Sequence, residues 1–234
     1  MKGNSLVFLS TQVAFGFKKP VMGPEGLFVD LNKLSQGLFG ESPNINPVPF
    51  IGNDQRLLEA HVVEAVSTDG QYDLKIARGR IDLFRNAINE EFGYSETHSD
   101  LIQKAKLILD SLEGKTSVEW FGFLNNYILE GDITDKPDKL FNDSLVNLNK
   151  GETNSFFMQH ANRFDIHGTL SNSQLSVGAG EAQKNGSEKM KGLIITQDFN
   201  SKPSRKEINN DFVEAYVNEA KELIKINEIV RLLS

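Results

Sequence analysis

The sequence predicts an α+β fold, a mainly antiparallel sheet packed against helices, with a long C-terminal helix. Three observations predict it. Residues 56–85 hold the clearest period-2 pattern in the chain, and residues 154–200 return to a β-rich pattern. The last stretch instead repeats apolar residues every three or four positions. Strand-rich and helix-rich runs that do not alternate regularly favour α+β over a parallel α/β sheet.

Within residues 56–85, Val62, Val63, Ala65 and Val66 form an apolar run. Asp69-Gly70 suits the positive-φ positions of a tight hairpin turn. Tyr72, Leu74 and Ile76 then alternate with Gln71, Asp73 and Lys75, and Ile81 and Leu83 resume the alternation past Arg78-Gly79-Arg80. Two or three neighbouring antiparallel strands in the middle of a sheet are expected here.

From the start of the chain, residues 5–17 read as a first strand and 22–26 as a turn. Leu27, Leu31, Leu34 and Leu38 mark a short helix that Gly40 stops. Residues 41–54 hold three prolines and read as a loop. Thr97 to Asp100 offers a helix start with an acid in the first turn, and His98 is expected to be exposed there. Leu101, Ala105, Ile108, Leu109 and Leu112 continue that helix on one face to Gly114. Residues 118–129 are apolar on both parities, as in a strand buried on both sides. A short helix capped by Asp138 follows.

Phe156, Met158, Phe164 and Ile166 share one strand parity, with His160 among them as a core histidine. Ser171-Asn172-Ser173-Gln174 reads as a turn, residues 178–192 as a mobile surface loop, and 192–199 as another strand. Ser204 and Glu207 form a capping box for the last helix. Its apolar stripe runs from Phe212 to Leu233, over about 40 Å at 1.5 Å per residue. A single domain over 1–234 is expected, with two lobes, 1–130 and 153–234, as the alternative.

Composition narrows the function classes. The chain has 234 residues, 39% hydrophobic and 24% charged, with a net charge of −7. That charge argues against a dedicated duplex-DNA binder and makes nucleic acid an unfavoured partner. With no cysteine there is no disulfide, thiolate metal site or cysteine nucleophile. The apolar run 6–9 is too short for a signal segment, and no run approaches the ~20 residues of a membrane span. A soluble, cytoplasmic protein is expected. Its abundant Asn, Lys and Ile fit an AT-rich bacterial or phage genome.

No stretch carries a specific catalytic or cofactor signature. The best cluster for chemistry is Arg163, Asp165 and His167, which share one face of an expected strand at about 6.5–7 Å intervals. An arginine, an acid and an imidazole in a row can bind an anion or orient a general base. Arg78 and Arg80 flank Gly79, a spacing that lets phosphate approach closely, and Lys75, Arg85 and Arg56 add charge nearby. The four histidines have no metal-ligand spacing, Gly178-Ala179-Gly180 lacks a P-loop ending, and Asp132, Asp135 and Asp138 do not match a calcium loop. No metal and no cofactor are expected.

The leading expectation is a non-catalytic regulatory protein that docks on another protein, with a basic partner such as a toxin or nuclease favoured by the acidic charge. Residues 180–191 and the end of the last helix are the expected contact surfaces. The alternative is an enzyme or ligand-binding domain acting on a phosphate-bearing or nucleic-acid substrate through the Arg163, Asp165 and His167 face. Nothing in the pattern fixes an oligomeric state.

Overall fold

A computed structural model describes residues 6–40, 42–48, 55–87, 94–130, 157–183, 189–202 and 208–223. The strands are β1 (Leu6–Phe17), β2 (Asn44–Ile45), β3 (His61–Val66), β4 (Tyr72–Ala77), β5 (Arg80–Asn86), β6 (Val118–Glu130), β7 (Phe157–Ile166), β8 (Thr169–Gln183) and β9 (Lys189–Ser201). The helices are α1 (Pro24–Leu34), α2 (Gln55–Glu59), α3 (Tyr94–Leu112) and α4 (Asn210–Leu223).

All nine strands belong to one open antiparallel sheet in the order β2-β3-β4-β5-β1-β6-β9-β8-β7. This overturns the α+β expectation: strand outweighs helix nearly two to one, and the helices are short. The underestimate has a physical source. From Gly178 to the start of β9, small and charged residues give no apolar period, so residues 178–192 read as a loop, yet 178–183 and 189–192 are paired strand. The pairing runs from Ser171↔Ser201 to Gln183↔Lys189, so Ser171 to Gln174 are ladder residues and not a turn. The actual turn is His167-Gly168, with φ of 51° and 67°, the left-handed pair that a two-residue hairpin requires.

The strands of residues 56–85 form antiparallel neighbours β3, β4 and β5, but they occupy one flank. The middle is β1, paired with β5 on one side and β6 on the other. Asp69-Gly70 lies in a five-residue connection in which Gly70 alone takes positive φ. There the Asp69 carboxylate accepts from the Ser67 hydroxyl and the Gln71 N–H. The proline-bearing loop contains the short β2. The long last helix also needs correction: its described part starts at Asn210, where Asn209 Oδ1 accepts the Phe212 N–H at 2.9 Å. The Ser204/Glu207 box, the stripe beyond Leu223 and the Asp138 helix lie outside the described residues.

Register divides the sheet into two unlike faces. One carries Val13, Phe15, Leu74, Ile76, Ile81, Leu83, Phe121, Phe123 and Phe199, and α1, α3 and α4 pack on it as one core. Phe121 sits at its centre, 5.2 Å from the Phe15 ring and 5.3 Å, edge-on, from Tyr216 of α4. Such ring pairs each add about 0.5–1.5 kcal/mol beyond area burial. His98 lies on this side too. The expected exposed cap residue is fully buried inside α3, because the helix begins earlier, at Tyr94. Its Nε2 is 2.7 Å from Asn125 Oδ1, and its ring packs between Phe8 and Phe123.

Candidate functional site: the polar face of the sheet

The opposite face carries none of α1, α3 and α4, and its residues follow from register. Gly16 pairs with Arg80 and Trp120, Ala14 with Asp82 and Gly122, and Gln12 with Phe84 and Leu124. Gly122 pairs with Asn200 and Leu124 with Asp198, and β8 continues the two rows with Asn172 and Gln174. Small residues at 14, 16 and 122 lower the floor, and longer side chains around them leave a hollow of about 250 Å³. Gln12, Arg80, Trp120, Leu124, Asp198 and Asn200 line it.

One wall is a charged cluster. The Asp82 side chain is 1% exposed, accepts from Gln12 Nε2 and Arg80 Nε at 2.8 Å each, and lies 3.6 Å from His61 Nε2. Burial pushes the Asp82 carboxyl up, but the His61, Arg80 and Gln12 contacts outweigh it and hold it below its ordinary value. Arg80 also reaches Trp120, its guanidinium carbon 5.7 Å from the ring centroid.

The other wall behaves oppositely. Asp198 accepts from Asn200 Nδ2 at 2.7 Å and has no ion pair among the described residues. Burial raises its pKa, and the Asn200 hydrogen bond and the Arg80 charge only partly counter that. Thus one carboxylate beside this hollow is saturated with donors, and the other is buried without its own cation.

Farther along, the Thr196 hydroxyl donates to Asn126 Oδ1 at 2.7 Å, and Asn126 Nδ2 donates to Ser10 Oγ at 3.1 Å. A wider hollow toward β7 shares Asn200 and is lined by Arg163, Asn172 and Gln174.

The residues singled out in the sequence do not assemble. Arg163 and Asp165 are exposed on β7, an edge of the described sheet, with side chains on the polar face. His167 lies in the turn, its N–H donating to Glu219 Oε2 at 2.7 Å and its ring 5.8 Å from Phe212 on the helix side. His160 is exposed rather than in the core. Arg78 and Arg80 diverge: Arg78 donates to the Val48 carbonyl, whereas Arg80 turns to Asp82. Gly79 leaves no opening for phosphate, since a Cβ there would lie 3.1 Å from the Leu58 carbonyl oxygen. Arg85 is buried on the helix side near Asp100 and Tyr72. The Arg56 side chain, Asp132, Asp135 and Asp138 lie outside the described residues.

Sequence reading missed Trp120, Asp198, Asn200, Gln12 and Asp82 as a group. The signal available was the alternation Ile195, Gln197, Phe199 against Thr196, Asp198, Asn200. It marks a polar face but not which distant strands supply the rest. Among the described residues no His, Asp and Glu grouping is suited to a metal, and no helix is long and apolar enough to cross a membrane. No family model fits the chain, and no curated protein matches it in sequence.

Proposed function

We propose that the chain is a non-catalytic binding protein that docks a basic protein partner on the polar face of its sheet. The observation that carries this reading is the asymmetry of the two faces. One is sealed by helices over an aromatic core, and the other presents amides, hydroxyls and unevenly paired carboxylates over β1, β6, β9 and β8. Its two hollows are open and adjoin at Asn200, a shape suited to an extended surface more than to one enclosed small substrate. The net charge of −7 favours a basic partner and speeds its encounter. The expected contact at 180–191 is revised, since most of those residues are strand, and the contact moves to the sheet face.

The test is affinity capture from nuclease-treated lysate with two charge variants of equal net change. Asn172→Arg/Gln159→Arg places two cations on the polar face. Ser99→Arg/Asn218→Arg places two on the helix side. Loss of a stoichiometric basic protein from the first variant and its retention by the second is the expected result. Equal retention by both would contradict the reading.

A further inference from the structure

Four features of the hollow between β5, β1, β6 and β9 converge on one kind of ligand. Its only carboxylate lacking an ion pair among the described residues is Asp198, since the other nearby, Asp82, is filled by Gln12, Arg80 and His61. Arg80 is ion-paired with Asp82, and its charge only partly counters the burial of Asp198. The volume, about 250 Å³, is enough for an arginine side chain. An aromatic wall is present in Trp120, and an amide that can both donate and accept is present in Asn200.

We infer that this hollow is the anchor pocket for a single arginine side chain of the partner, whose guanidinium pairs with Asp198 and lies along Trp120. The inference rests on the docking reading above and names the group that the face recognises. A planar guanidinium satisfies both needs at once: two parallel N–H donors for a carboxylate and a flat cation for an indole. An ammonium supplies the charge but not the plane. Anions are disfavoured, since Arg80 is already neutralised and Asp198 would repel them. Gly122 keeps the pocket open, because a Cβ at that position would lie 2.7 Å from Asn200 Oδ1 and displace the amide beside Asp198. Buried arginine anchors of this kind are frequent energetic centres of protein interfaces.

The chain holds one tryptophan, and it lies in this pocket, so its fluorescence reports the site directly. The full chain is titrated with acetyl-Gly-Arg-Gly-amide and with the citrulline peptide, which keeps the shape and loses the charge. A saturable change in Trp120 emission with the arginine peptide is expected. Binding should weaken about tenfold or more with citrulline, or with Asp198→Asn, the factor expected for a lost charge-assisted hydrogen bond. Far-UV circular dichroism of Asp198→Asn establishes that the fold is retained. No saturable response, or equal curves for the two peptides, overturns the inference. If the peptide fails while Asn172→Arg/Gln159→Arg still loses its partner, the anchor is wrong and the docking face stands. If both fail, the docking face itself is wrong.

Discussion

Trp120 occupies the space that a side chain at Gly16 would need. The two residues pair across β1 and β6, and a Cβ built on Gly16 would lie 1.8 Å from the indole Nε1. The glycine therefore lets the indole lie across β1 and reach Arg80 on β5. Gly16→Ala should swing the ring away at a cost of about 1–3 kcal/mol, the usual range for forced overpacking. Urea unfolding followed by tryptophan emission measures both effects. An unchanged spectrum with unchanged stability would mean that the ring does not sit there.

Asp82 sets the acid limit of this part of the sheet. Its neighbours are Gln12 on β1, His61 and Glu64 on β3, Lys75 across the ladder on β4, and Arg80 on β5. Its folded pKa lies below the ordinary 3.8, so its contribution is complete above that value. The contribution is lost as pH falls through the lower folded value, where the native carboxyl also takes its proton. Asp82→Asn should flatten the acid limb of a stability-against-pH curve. A curve that keeps the wild-type slope would contradict this.

Asp198 carries the opposite sign. Its folded pKa lies above 3.8, so between the two values the native state holds the proton and the unfolded chain does not. Stability therefore falls as pH rises through that window, and the deficit is full above the folded pKa. Asp198→Asn should raise Tm at pH ~7 while weakening arginine binding, a trade expected where a binding group is buried at the expense of stability. A lower Tm for this variant would show that the carboxylate is satisfied in the native state.

The buried His98–Asn125 contact ties α3 to β6 through polar atoms in an aromatic setting. Asn125→Ala removes the buried Nε2 contact and should cost about 1–3 kcal/mol. Chemical denaturation checks it, and a loss below ~0.5 kcal/mol would mean that water replaces the amide.

Much of the flank β3-β4-β5 was legible because β4 alternates apolar and polar residues between two short strands rich in apolar and β-branched residues, β3 and β5. The same logic failed for β8 and β9. At Gly178, Gly180 and Gly192 the ladder replaces side-chain packing, and no local period records a strand held by its neighbours. His98 misled for a related reason: polarity near a helix start reads as exposure unless the partner, Asn125 on another strand, is known. The site was the least legible part. Gln12, Arg80, Trp120 and Asp198 come from four strands spread over most of the chain, and only the order β5-β1-β6-β9 makes them neighbours. The arginines that stood out by spacing, Arg78 and Arg80, turn to different partners, the Val48 carbonyl and Asp82, and Arg85, of opposite parity to Arg80, faces the helix side.

The most direct test of the docking face is site-specific photo-crosslinking in the source cell. Benzoylphenylalanine is placed at Gln174 on the polar face and, separately, at exposed Gln103 on α3. A nuclease-resistant adduct with one basic protein, formed from position 174 and absent from position 103, is the predicted result. An adduct with that protein from position 103 alone, or no protein adduct from position 174, would contradict the proposal that the polar face of the sheet is where this protein binds.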